Sequence, residues 1–132
     1  MSLFKKTGSI ATGLPDSDAP TEFTVTQTGL KYKILRKSDG KKPKSGSNVT
    51  VHYKGWLDNG NVFDSSYTRG EPATFGVDQV IAGWTEGLKL IGEGGMLELE
   101  IPSELGYGKR GAGRDIPPNS TLHFTVELIK VN

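Results

Sequence analysis

The sequence contains no cysteine. Disulfides, thiolate metal sites and cysteine nucleophiles are therefore excluded. It has two histidines, His52 and His123, and no Gly-x-Ser-x-Gly elbow, so no base-activated hydroxyl nucleophile is evident. No run of about 20 apolar residues occurs, so nothing reads as a membrane-spanning helix. Neither sign of charge dominates: 16 basic and 15 acidic residues leave a formal net charge of +1. That balance gives no electrostatic footprint for nucleic acid or an anionic membrane. The densest cationic stretch, Lys41, Lys42 and Lys44, is broken by Pro43 and reads as a solvated loop. Aromatic residues are few, at 8%. Glycine is the residue in excess, with 18 in 132, about twice the usual share. With no Gly-X-Y period, such an excess marks many turns between short strands. The length fits one domain.

Residues 1–22 carry no sustained hydrophobic period and include Leu14-Pro15-Asp16-Ser17-Asp18-Ala19-Pro20. They read as a flexible N-terminal arm or a leader remnant. From Phe23 the pattern alternates with a period of two. Val49, Val51 and Tyr53 share one strand face, as do Leu97, Leu99 and Ile101, and then Leu122, Phe124, Val126 and Leu128. Asp58-Asn59-Gly60-Asn61 marks a hairpin, with Val62-Phe63 starting the return strand. Ala73 to Val77 is a further short strand. Only Trp84, Leu88 and Ile91 are spaced as on a helix, a stripe of about two turns that Gly92 can end. One antiparallel sheet packed on one short helix is an α+β arrangement.

His52 and His123 fall opposite the apolar set and are expected on exposed strand faces, with no acidic or histidine cluster to make a metal site. Gly108 to Gly113 lacks the spacing and the Lys-Ser/Thr of a phosphate loop. What stands out is an aromatic set: Tyr53, Phe63, Phe75, Trp84, Tyr107 and Phe124 all lie near turns or on inward faces. Asp64 follows Phe63 where the strand leaves for the loop Ser65 to Gly70, and Arg69 stands five residues on. An acid and a base so spaced can pair at the lip of an apolar pocket, the usual form of a small-ligand site.

Several blocks, in order, resemble the FKBP-type peptidyl-prolyl cis-trans isomerases, the macrolide-binding immunophilins. They are Val51-His52-Tyr53-Lys54-Gly55-Trp56-Leu57, Gly60-Asn61-Val62-Phe63-Asp64-Ser65-Ser66 and Val80-Ile81-Ala82-Gly83-Trp84-Thr85-Glu86-Gly87-Leu88. Ile101-Pro102-Ser103-Glu104-Leu105-Gly106-Tyr107-Gly108 and Ile116 to Phe124 complete the series. The resemblance runs from about Gly29 to the C-terminus. It implies a curved five- to six-stranded antiparallel sheet wrapped around one short helix, with residues 23–132 as the isomerase domain. It implies Trp84 as the pocket floor, Tyr53, Phe63 and Phe124 as aromatic walls, Val80 along one side and Ile116 at the rim. It implies that the Ile81 N–H and the Tyr107 hydroxyl hold substrate carbonyls, and that Asp64 sits at the mouth, supported by Arg69. It also implies proline-containing peptides or unfolded proteins as partners, macrolides as inhibitors, and no cofactor or metal. The sequence gives no reason to expect an oligomer, so a monomer is expected. The compartment is left open between cytoplasm and export of a chain whose signal has been removed. The alternative is a binding or chaperone module on the same fold with incidental turnover. Ala73 stands where the family often has a further wall Phe, and Lys109 to Asp115 lacks the His-Pro-Gly stretch of some members.

Overall fold

The computed structural model describes residues 14–132. The described residues form seven strands and two α-helices in the order β1 Thr24–Val25, β2 Lys31–Arg36, β3 Asn48–Leu57, β4 Val62–Ser65, α1 Ser66–Arg69, β5 Ala73–Gly76, α2 Ala82–Leu88, β6 Met96–Ile101 and β7 Leu122–Val131, with a single 3-10 turn at Ser103–Leu105. All strands belong to one antiparallel sheet in the order β1-β2-β6-β7-β3-β4, with β5 also paired to β3. The alternation read in the sequence explains the core. Val49, Val51, Leu97, Leu99, Ile101, Leu122, Val126 and Leu128 are fully buried on the face that meets α2. In β7 the alternation fails after Leu128. The register with β3 shifts by one residue there, Thr50 facing Lys130 and Val51 facing Leu128. This bulge rephases the strand, so that Val131 returns to the core.

The architecture is the expected one, with seven strands among the described residues where the resemblance implies five or six. The count rises because the two-residue β1 pairs with β2, and because β4 and β5 are separate pieces. Both pieces lie along one edge of β3: Asn48 to Val51 pairs with β5, and Lys54 to Trp56 with β4. Between them the chain leaves the sheet, and what read as a loop forms the single-turn helix α1. Its Ser65 N-cap accepts the Thr68 N–H at 3.3 Å, and Gly70 closes it at φ 80°, a conformation that favours glycine.

Helix α2 is too short to be stable alone and depends on packing. It ends at Leu88, short of Ile91, yet Ile91 is still buried beyond the following turn. Two glycines let it approach the sheet. A Cβ at Gly83 would lie 2.7 Å from Ile101 Cγ2, and one at Gly87 2.8 Å from Leu99 Cδ2.

Residues 1–13 of the N-terminal arm lie outside the described residues. From Leu14 the segment is tied to the end of β2. Asp16 N–H donates to Leu35 O at 2.7 Å, the Asp16 carboxylate accepts the Lys37 N–H at 2.9 Å, and Arg36 Nη1 donates to Leu14 O at 3.1 Å.

His52 is not on an exposed face but buried, at 8% exposure. The reason is α1, which lays Tyr67 flat over its ring at 4.7 Å. Tyr67 in turn donates to Glu127, which is fully buried beside His52 in register and also paired to Arg36 at 3.0 Å. Burial and the Glu127 acceptor push the Tyr67 phenol pKa well above its ordinary value. His123 is likewise largely covered, stacked on Trp56 and bonded to Asp58 at 2.6 Å.

Helix propensity alone would make Gly83→Ala stabilising by up to about 1 kcal/mol. The β-branched, fully buried Ile101 cannot yield freely, so the opposite sign is expected: a loss of about 1–3 kcal/mol in denaturant unfolding. An unchanged or raised midpoint would refute the close approach.

Candidate active site

Residues of β3, β4, β5, β7 and α2, with the loops beside them, line a cavity of about 580 Å³. The first turn of α2 supplies its floor, Trp84, which is 4% exposed. Three rings meet that indole edge to face: Tyr53 from β3 at 5.2 Å and 83°, Phe75 from β5 at 5.6 Å and 90°, and Phe124 from β7 at 5.2 Å and 82°. Phe63 from β4 extends the wall, meeting Phe124 at 5.5 Å and 86°. Edge-to-face contacts of this kind fix ring planes, beyond the energy of burial alone. Gly55 makes room for them: a Cβ there would lie 2.6 Å from Phe124 and 2.7 Å from Phe63.

Polar groups are few and placed at the margins. Tyr53 Oη donates to Asp64 Oδ2 at 2.5 Å, Arg69 Nη1 donates to Asp64 Oδ1, and Arg69 Nη2 donates to Tyr53 Oη at 3.0 Å. Burial alone would raise the Asp64 pKa, but the hydrogen bonds from Tyr53 and Arg69 and the Arg69 charge outweigh it. They hold the carboxyl below its usual range. Burial, then the Asp64 acceptor, push the Tyr53 phenol up. The Tyr53 backbone lies in the gap between β4 and β5, where no strand partner reaches it on that side. Ser66 Oγ fills the gap, accepting the Tyr53 N–H at 2.7 Å and bonding His52 Nδ1 at 2.8 Å. The one-turn helix thus secures both Tyr53, through Ser66, and Asp64, through Arg69.

Two donors at the cavity have no partner among the described residues: the Ile81 N–H, just before α2, and the half-exposed Tyr107 hydroxyl. The Trp84 indole N–H is also buried without an acceptor among the described residues. Buried donors left unpaired are uncommon, and satisfying one is favourable.

Of the residues singled out in the sequence, Tyr53, Phe63, Asp64, Val80, Ile81, Trp84, Tyr107, Ile116 and Phe124 all line this cavity, and Arg69 backs it through Asp64. Phe75, Gln79, Ala112 and Asp115 line it too. Phe75 is legible in the sequence as one of the inward aromatics, but the resemblance does not name it among the wall rings. It walls the β5 side, while Ala73, on the same face, does not reach the cavity. Gln79, Ala112 and Asp115 carried no signal, because they sit on turns whose path the sequence pattern does not reveal.

Residues 39–129 match the model of the FKBP-type peptidyl-prolyl cis-trans isomerase family. The chain belongs to this family. Among its FKBP-type relatives, it is 55% identical over 107 residues to FkpA of Escherichia coli strain K12, covering 81% of this chain and 39% of that protein. It is 53% identical over 105 residues to an FK506-binding protein of Neisseria meningitidis serogroup B, covering 78% of this chain and 96% of that one. The crystal structure of Escherichia coli FkpA superposes with a TM-score of 0.82 and 51% identity, covering 86% of this chain and 53% of FkpA. This FKBP chain therefore spans under half the length of the curated FkpA and nearly all of the shorter Neisseria protein.

A carboxyl whose pKa is lower folded than unfolded stabilises the fold above the unfolded value, about 3.9 for Asp. That stabilisation is lost as pH falls through the folded pKa. Asp64→Asn is expected to flatten the acid limb of the stability–pH curve below about pH 4. The change is small because both partners of the pair stay partly exposed. Urea unfolding across that range reads it, and a curve parallel to the parent's would remove Asp64 from the acid response.

Proposed function

We propose that this chain accelerates rotation about X–Pro peptide bonds in peptides and unfolded proteins, by enclosing the proline in its aromatic cavity. One observation carries the reading: a ring-walled floor on Trp84 bordered by two unpartnered donors, the Ile81 N–H and the Tyr107 hydroxyl. Family membership supports it.

The barrier to this rotation is about 18–20 kcal/mol, because amide resonance must be broken. Uncatalysed exchange takes tens to hundreds of seconds. Resonance makes the planar amide more polar than the twisted one. Water favours the planar form, whereas a cavity walled by Tyr53, Phe63, Phe75, Trp84 and Phe124 shifts the balance toward the twisted one. The Ile81 N–H and Tyr107 hydroxyl hold substrate carbonyls while the bond between them turns. No bond is made or broken, so no nucleophile is required. A thousandfold acceleration needs about 4 kcal/mol, within reach of differential binding by one pocket. Asp64 serves first as the anchor of Tyr53 and Arg69, which fixes the wall. The apolar cavity with marginal donors also suits a macrolide, and the name of the Neisseria relative supports FK506-type ligands as competitors.

Protease-coupled or NMR exchange assays with Leu-Pro and Phe-Pro peptides test the proposal. Tyr107→Phe is expected to lower kcat/KM about fivefold, the worth of one hydrogen bond. Phe63→Ala and Asp64→Ala should each lower it by about tenfold or more, by opening the wall and by freeing Tyr53 and Arg69. No acceleration at micromolar protein would defeat the isomerase reading, and equal activity in all three variants would defeat the site assignment.

A further inference from the structure

We propose that Asp115 makes this site prefer substrates with lysine or arginine beside the proline. The inference rests on the cavity being the proline site. Among the described residues, the cavity lining includes two carboxylates, Asp64 and Asp115, and no lysine, arginine or histidine. Asp64 is already neutralised by Arg69. Asp115 is exposed and makes no ion pair or hydrogen bond among the described residues. The wall therefore presents one uncompensated negative charge.

That charge sits on a fixed support. Ala112 and Ile116 exchange both backbone hydrogen bonds, Ala112 N–H to Ile116 O at 2.8 Å and Ile116 N–H to Ala112 O at 3.1 Å. They close a three-residue turn in which Gly113 takes φ 57°. Gly111, at φ 68°, lies so close to the following chain that a Cβ would stand 2.9 Å from the Pro117 carbonyl carbon. The base of the loop is held by Asn119 N–H donating to Gly108 O at 2.8 Å. A carboxylate carried on such a turn loses little freedom when it meets a ligand. Ala112 and Ile116 line the cavity on either side of it in sequence. They offer apolar surface to the methylenes of a lysine or arginine while its head reaches the carboxylate.

The same loop carries Lys109, Arg110 and Arg114, and these would favour an acidic substrate if they dominated. None of them lines the cavity. They act through solvent, where fields decay over about 8 Å at physiological salt. Asp115 acts at contact, so it sets the preference.

The test uses six short peptides, with Lys, Leu or Glu either before or after the proline. Binding to the 15N-labelled chain is read by chemical-shift titration, and isomerisation by NMR exchange, each at low salt and at about 0.5 M salt. At one of the two positions at least, the lysine peptide should bind about threefold to fivefold tighter than the glutamate peptide at low salt, the reach of one exposed ion pair. The ratio should shrink toward one at high salt. Asp115→Asn should abolish or invert it, Asp115→Glu should retain it, and Arg114→Gln should keep or enlarge it. Equal binding of lysine and glutamate peptides at both positions would overturn the proposal. So would a lysine preference that survives Asp115→Asn, or failure of all six peptides to bind. A lysine preference in binding without accelerated exchange would uphold Asp115 and defeat the isomerase reading. Accelerated exchange without the preference would do the reverse.

Discussion

The cavity depends on how closely α2 lies against the sheet. Gly83 and Gly87 leave no side chain between the helix and Ile101 and Leu99, so the helix settles at backbone distance and Trp84 is driven to the cavity floor. Everything above it follows from that placement. Tyr53, Phe75 and Phe124 come from three different strands, yet each finds the same indole at nearly a right angle or close to it. A wider helix seat would lift the indole and leave the three rings without a common partner. The geometry of the aromatic cavity is therefore set by two absent side chains.

Polar structure has the complementary task of holding the rim. The ten-residue β3 has one edge divided between β4 and β5, and the chain spans the division with a one-turn helix. A division in a sheet exposes backbone groups, and a serine hydroxyl meets the Tyr53 N–H here. The same turn carries Arg69 forward to Asp64 and Tyr67 backward onto His52 and Glu127. Front and rear faces of the sheet are thus coupled through four residues. The buried Glu127 keeps its charge compensated by Arg36 and a phenol, the condition for tolerating an ionised group inside a fold.

Strand alternation and the Trp84–Leu88 spacing made the sheet, the short helix and the buried face legible. The aromatic set and the Asp64–Arg69 spacing pointed to one cavity, and the ordered blocks pointed to its family. What escaped had a physical reason in each case. His52 obeys the alternation of an outward residue, and only a contact from α1 buries it. The β7 bulge hides in a stretch, Leu128-Ile129-Lys130-Val131, where two phases of alternation fit equally well. Asp115 follows from no period at all. Its position depends on positive φ at Gly111 and Gly113, which composition allows but does not locate.

The borders of the sheet bear on the proposed action on unfolded chains. Extended polypeptide readily adds to an open strand, and a long bare edge would capture such chains by backbone pairing instead of releasing them. One border is formed by two separate four-residue strands, β4 and β5, with a helix between them. At the other, β2 is covered by Thr24–Val25 at one end and by Asp16 at the other, through bonds to Leu35 and Lys37. Among the described residues, neither side offers a long uninterrupted ladder. On the proposed function, contact with a client is thereby steered to side chains in the cavity and away from main-chain pairing, which accumulates.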